Sequence, residues 1–319
     1  MIVRWGLDEL PLLLSELGIQ RPLLVASDRW TPPVPVSGVW SEVPSDRIAD
    51  AAEAAKGADG LLALGGGSAI DLAKAISAKT GLPIVSVPTT YSGAEWTPSF
   101  GIRDPDKRMK GGGSGAHLAA IVYEPKLTLE LPRELTVGTS LNALAHAAEA
   151  LYVKGRNAEG DRQALAGAAL ISEWLPRVVE DGQDAEARRR LLDGAAHAGA
   201  ALAAAGLGLG HAMAQSLGGR YGLPHGAMNA LSLPPALRFN EPVAGAEIAR
   251  FGEAIGTADP IGRVEQLARL GGFERLRDFG VPEQDLDEVG AKAAARPGAR
   301  ANPRPATPED ITQLLQSVW

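Results

Sequence analysis

Residues 60–76 read GLLALGGGSAIDLAKAI. Four apolar residues, Leu61 to Leu64, have the length of a buried strand, and the glycines that follow end it sharply. From Ser68 onward the apolar residues recur at helical spacing. Strand, glycine turn and helix start, in that order, make an anion site. The first N–H groups of a helix have no partner within it, and the helix dipole favours negative charge there. The spacing is not the G-x-G-x-x-G dinucleotide fingerprint, and tight strand-to-helix turns also use glycine with no ligand.

Outward from this stretch, short apolar runs alternate with helical patterns through the first 125 or so residues. After an N-terminal strand, the spacing predicts strands at 22–27, 38–43, 60–64, 83–87, 99–103 and 120–123, and helices at 7–17, 46–56 and 68–80. That alternation argues for a parallel sheet with helices on its faces. From Pro132 the pattern is helical: 133–155, 159–175, 184–205, 209–218, 225–239, 244–255, 260–271, 282–293 and 308–317. The chain therefore reads as an α/β domain over residues 1–130 and an all-α domain over 131–319. The glycine-rich, charged stretch 103–118 reads as a mobile hairpin or flap, or as a plain surface loop, and 296–307 as a loop before the last helix.

Composition narrows the function. The 319 residues are 45% hydrophobic with a net charge of −7 and no basic block, which argues against nucleic acid as a partner. No apolar run reaches the roughly 18 residues of a membrane span, and the N-terminus carries acids and a proline inside its apolar stretch, unlike a signal peptide. A cytoplasmic location is the resulting expectation. Without cysteine, a metal site here has no thiolate ligand.

Three of the five histidines fall in two motifs of the Ala-rich half, LNALAHAAEALY (141–152) and GHAMAQSLGGRYGLPHG (210–226). Asn142 and His146 lie one helical turn apart on one face. His211 and His225 flank two glycine breaks, as on two helices joined by a turn. Converged, three imidazoles and an amide oxygen suit a divalent first-row ion. Three unrelated histidines filling core or capping helices is the alternative. His197, in an alanine-rich helix, and His117, in the flap, read as structural or solvent-facing.

Together GGGSAIDLAKAI, VPTTYSGAEWTP (87–98), LNALAHAAEALY, the His211–His225 spacing and NPRPATPEDI (302–311) resemble the iron-containing, group III alcohol dehydrogenases. The resemblance runs from about residue 5 to 319 and is closest to the maleylacetate reductase branch. It implies the dehydroquinate synthase-like architecture, NAD(H) as cofactor and hydride transfer in an interdomain cleft.

On the cofactor side, Asp28 ends an early strand, where a carboxylate can accept from a ribose 2′-OH and repel a 2′-phosphate; an acid opening the next turn is the plainer alternative. The resemblance implies pyrophosphate contacts at Gly66, Gly67 and Ser68, and cofactor contacts at Thr89, Thr90 and Leu135 and at Lys107 or Lys110. Asp71 either orients the nicotinamide amide or complements its own helix.

On the metal side, the resemblance implies Asn142, His146, His211 and His225 as ligands. The family's usual set is one Asp and three His, and here Asn142 stands in place of the Asp. An amide leaves the ion's charge uncompensated, so iron or zinc is expected to bind weakly or not at all. Gln215 stands where the family commonly has a second, proton-passing His, and Gln cannot titrate. Tyr91, a metal-bound water or the nicotinamide ribose are substitute proton paths.

The expected function is NAD(H)-dependent reduction of a small carbonyl compound, with His146, His211, His225, Tyr91 and Gln215 around the reacting carbonyl and a homodimer as the assembly. For a keto acid substrate, Arg304, Arg103, Lys107 and Arg108 are the available cations. The alternatives are a reductase or a redox-neutral cyclase or lyase of a specialised biosynthetic intermediate using bound NAD, and a non-catalytic NAD-binding protein.

Overall fold

The structure is a computed structural model describing residues 1–319. It divides into two compact units, Met1–Thr90 with Ala94–Thr128, and Leu129–Trp319 with Tyr91–Gly93.

The first unit holds β1 (Ile2–Trp5), α1 (Leu10–Glu16), β2 (Pro22–Val25), β3 (Gly38–Trp40), α2 (Ile48–Ala54), β4 (Gly60–Gly65), α3 (Gly67–Thr80), β5 (Pro83–Pro88), β6 (Phe100–Arg103), β7 (Met109–Gly113) and β8 (His117–Tyr123). Six strands form one parallel sheet in the order β1-β8-β5-β4-β2-β3. The central strands are apolar throughout because both faces are covered. On β4, Leu62 and Leu64 pack with Leu10, Leu13 and Leu14 of α1, while Leu61 and Ala63 pack on the other face with Ala51, Ile70, Ala73 and Ile76. The two-residue period of a strand sends alternate side chains to opposite cores.

Helix α3 starts from Gly66 in extended conformation and ends at Gly81, whose left-handed φ of 77° lets its N–H reach Ser77 O. Inside α3, Lys74 is fully buried. Its ammonium pairs with Asp71 at 2.8 Å and donates to Ala94 O and Ser99 O at 2.7 and 2.6 Å. Asp71 also accepts the Gly101 N–H at 3.1 Å. These contacts pin to α3 the segment leading into the antiparallel hairpin β6–β7, which occupies the stretch read as a flap. Beside it, buried Glu95 accepts from the Tyr123 hydroxyl at 2.7 Å, and that hydroxyl accepts from the Trp96 indole at 2.8 Å.

The second unit is helical: α4 (Arg133–Ala150), α5 (Ala158–Glu180), α6 (Ala185–Ala205), α7 (Leu209–Tyr221), α8 (His225–Ala254), α9 (Pro260–Arg269), α10 (Leu286–Ala294), α11 (Pro297–Ala301) and α12 (Pro308–Gln316). Helix α4 is its central element, buried on nearly every side from Thr136 to Ala150. Two details depart from the sequence reading, and one agrees with it. Helix α5 runs past 175 through Pro176, because the Ser172 carbonyl that this proline cannot serve accepts from Arg263 at 2.8 Å. The break expected between helices at 225–239 and 244–255 is present as a non-helical kink at Ala244 within α8. The expected loop 296–307 contains α11, which starts on Pro297, a residue suited to a first helical position.

Helices α4 and α8 meet backbone to backbone. A Cβ on Gly226 would lie 2.3 Å from the Gly138 carbonyl carbon. Gly226→Ala should therefore push the two helices apart and cost about 1–3 kcal/mol in denaturant unfolding; an unchanged midpoint would mean the approach is not tight.

A second prediction concerns pH. Burial raises the Glu95 carboxyl above its ordinary 4.5, against weaker pulls from its own backbone N–H, Tyr123 and Lys74. A raised folded value means the stability due to Glu95 is full below about pH 4.5 and is lost as pH rises through that value. The stability of Glu95→Gln relative to the parent should therefore grow between about pH 4 and pH 8. Parallel urea titrations at the two pH values check this, and a constant difference would refute it.

Candidate active site

On α4, Asn142, His146 and Glu149 follow at intervals of four and three, so they share one face. All three are buried. Glu149 has no exposed surface and reaches the start of α7, where it accepts the N–H of Gly208 at 2.7 Å and of His211 at 3.2 Å. Those N–H groups are orphans of a helix N-terminus, where a carboxylate is favoured. The same carboxylate lies 2.6 Å from His211 Nδ1. An acceptor there places the Nδ1 proton on that bond and leaves Nε2 as the free ring nitrogen.

His211 Nε2 is buried with no hydrogen-bond partner, as is His146 Nδ1. The two rings stack at 4.6 Å between centroids and 14° between planes, and the His225 ring is tilted 6.1 Å from His211. The three histidines and Asn142 thus meet in one pocket. Burial, reinforced by His211 and His225, holds His146 well below the ordinary imidazole value, so it is neutral.

Asn142 donates to Ser92 O at 2.8 Å, and its Oδ1 accepts from Asn229 at 2.6 Å. Asn229, one turn after His225, also lies 3.0 Å from His225 Nε2. This arrangement does not fit a resident divalent ion. Ring lone pairs lie in the ring planes, and parallel planes do not aim at one point. The amide oxygen is engaged, the carboxylate of Glu149 is committed elsewhere, and no three His, Asp or Glu side chains are grouped to hold an ion.

The segment Tyr91–Gly93 belongs to the same unit. Gly93 sits so close that a Cβ there would lie 3.5 Å from His146 Nδ1 and 3.3 Å from the Gly199 backbone. Tyr91 is fully buried, its N–H donates to Thr139 Oγ1, and its hydroxyl accepts from Arg188 at 3.2 Å. Arg188 also lines a cavity of about 220 Å³ with Leu131, Thr136, Val178 and Gly182, which contains none of the three histidines.

Gln215, a turn beyond His211, accepts from Arg296. In the first unit, Gly66 caps α3, and Gly67 and the exposed Ser68 open it. Gly66 packs so tightly on Thr90 that a Cβ would lie 2.8 Å from that side chain, and Thr89 N–H donates to Gly65 O. Asp28 is exposed in the turn after β2. Asp71 is committed to Lys74 and Gly101. Lys107 occupies the hairpin turn with φ of 63°, and Lys110 pairs with Asp104. Leu135 is exposed on the first turn of α4 rather than buried, because that turn precedes the enclosed part of the helix.

The three arginines expected as substrate cations are engaged elsewhere. The Arg304 guanidinium lies 3.9 Å over the Phe239 ring and donates to Phe239 O. Arg108 pairs with Asp104 and Asp106, and Arg103 donates to Lys107 O. Glu149, Asn229 and Arg296 were missed in the sequence. Glu149 had a signal: it is a lone carboxylate in an otherwise uncharged run from Thr136 to Val153.

Family models bear on this geometry. Residues 4–122 match the iron-containing alcohol dehydrogenase model, and 136–319 match the C-terminal model of the Fe-containing alcohol dehydrogenase family. A maleylacetate reductase of Sphingobium indicum is 38% identical, over 81% of this chain and 73% of its own length. One from Pseudomonas knackmussii is 33% identical over 98% and 93%. Among solved structures, maleylacetate reductase from Rhizobium sp. superposes with a TM-score of 0.89 at 31% identity, covering 100% of this chain and 95% of its own. An iron-containing alcohol dehydrogenase of Corynebacterium glutamicum gives 0.91 at 30%, covering 100% and 94%. With family models over both units, and relatives above 30% identity along nearly its whole length, the chain belongs to the iron-containing alcohol dehydrogenase family, in its maleylacetate reductase branch, and is an oxidoreductase.

Proposed function

We propose that the protein is an NAD(H)-dependent reductase of a small keto acid of the maleylacetate type. One observation carries the reading. In a chain related to maleylacetate reductases, His146 Nδ1 and His211 Nε2 are buried, unpartnered and in one pocket. Buried polar groups without partners are rare in a finished core and mark a place where something else binds.

The cofactor-binding turn is Gly66–Gly67–Ser68 at the N-terminus of α3, where free N–H groups and the helix dipole favour a pyrophosphate. Gly66 has no room for a side chain there, because a Cβ would meet the Thr90 side chain at 2.8 Å. Bound NADH supplies the hydride. As hydride reaches the carbonyl carbon, negative charge grows on the carbonyl oxygen, and fixed polar groups in a dry pocket stabilise it. His225, whose Nε2 accepts from Asn229, carries its ring proton on Nδ1 and can donate it to that oxygen, while His211, with its Nδ1 proton held by Glu149, presents Nε2 as an acceptor for a hydroxyl of the bound molecule. Tyr91, with its hydroxyl on Arg188, shapes the pocket wall through Ser92 and Gly93.

NADH oxidation assayed over maleylacetate, other keto acids and neutral aldehydes tests the reading. Maleylacetate-dependent loss of NADH is expected. Turnover without net change in NADH absorbance would instead indicate a redox-neutral lyase or cyclase. His211→Ala should lower turnover about 100-fold or more, the usual loss on removing a positioned group that handles a proton.

Asp28 should make the enzyme prefer NADH over NADPH, and Asp28→Ala should shrink that preference about tenfold. Equal use of both cofactors by the parent enzyme would contradict it.

We also infer that a divalent ion binds weakly, because Asn142 brings no charge and its oxygen is held by Asn229. Elemental analysis should find well under one iron or zinc per chain, and Asn142→Asp should raise the occupancy; one tight ion in the unmodified protein would overturn this.

A further inference from the structure

Arg296 stands at the junction of α10 and α11 with its side chain laid along α7. Its Nε donates to Ser216 Oγ at 2.8 Å, one terminal nitrogen to Gln215 Oε1 at 3.2 Å, and the other to Gln215 O at 3.1 Å. Every partner is a neutral oxygen. Burial lowers its pKa, and no carboxylate acts to raise it. The helical unit thus keeps a half-buried guanidinium without a counter-charge, although burying a charge unpaired is costly. A guanidinium has five N–H groups. Three are used, which leaves one on each terminal nitrogen, and two such donors suit a carboxylate held by both oxygens.

Its place makes this a feature of the reacting pocket. Gln215 is four residues after His211 on α7, so the two side chains share a face one turn apart, about 5 Å along the axis. His211 Nε2 is the buried nitrogen with no partner. Of the four cations that the sequence offered for this task, Arg304 and Arg108 are tied to Phe239 and to Asp104 and Asp106, and Arg103 and Lys107 belong to the hairpin of the other unit. The pairing also accounts for Gln215. A titratable imidazole at that position would face a fixed positive charge, whereas an amide oxygen accepts from it.

We propose that Arg296, oriented by Gln215 and Ser216, binds a substrate carboxylate and so sets the enzyme's preference for keto acids over neutral carbonyl compounds. The inference rests on the reductase reading above. The substrate lies with its carbonyl at the imidazoles and a carboxylate about one helical turn away at Arg296.

Steady-state kinetics with maleylacetate and NADH, in the unmodified enzyme, Arg296→Gln and Arg296→Lys, test it. Arg296→Gln should raise KM for maleylacetate about 10- to 100-fold, the worth of a charge-assisted hydrogen bond. Turnover at saturation and KM for NADH should change less than about threefold. Arg296→Lys should recover part of the loss, since it keeps the charge without the fork. A rise confined to KM for NADH would mean that the guanidinium serves a cofactor phosphate. A parallel fall of turnover and rise of both KM values would mean that it only braces α7. Either result, or no change, overturns the proposal. If the unmodified enzyme reduces only uncharged aldehydes, the reductase reading for keto acids fails by itself. Competitive inhibition by maleate then reads Arg296 directly, and a Ki unchanged in Arg296→Gln would overturn this assignment as well.

Discussion

A carboxylate with no exposed surface, Glu149, holds the helical unit's pocket together. Two backbone N–H groups at the start of α7 and one imidazole converge on it from a different helix. Removing it would leave three buried donors unmet, each a substantial loss. Because those donors include both the helix start and the ring of His211, the position of α7 and the orientation of its histidine are fixed by one side chain of α4. The glycines around it follow from the same constraint: a Cβ on Gly208 or Gly210 would come within 3.0 Å of the Glu149 carboxylate.

The pocket is otherwise unusually poor in charge. Asn142 and Asn229 pair with each other where a carboxylate and an ion would offset one another in a relative that uses metal. His146 is neutral by burial. Gln215 replaces an ionisable residue and leans on Arg296. Arg296 is the cation on Gln215, one helical turn along α7 from His211. Cyclase, lyase and purely binding roles find no comparable support, since relatives across the chain are reductases by name.

Much of this was legible in the sequence. The strand-glycine-helix order at 60–76 has one physical reading, and it emerges as β4, Gly66 and α3. The convergence of Asn142, His146, His211 and His225 was legible because helical periodicity and glycine breaks are local signals. Their partners were not. Asn229 and Arg296 act across distances of 87 and 81 residues, which no periodicity encodes. The run of α5 through Pro176 was hidden for the same reason, since the carbonyl it frees is met by Arg263, 91 residues away.

The buried lysine of α3 has a mechanical consequence. Lys74 and Asp71 fasten Ala94, Ser99 and Gly101 to the helix that opens with the glycine turn. Lifting the base of the hairpin away would strip an ammonium of its oxygen ligands in a dry interior, so the base and α3 can travel only as one piece. Beyond Arg103 the tie ends: residues 105–115 are exposed, with Lys107 at the turn. The hairpin is thus a short lever with a clamped root. Any bending is confined to its outer half, and whatever the tip touches is felt at the helix that opens with the glycine turn.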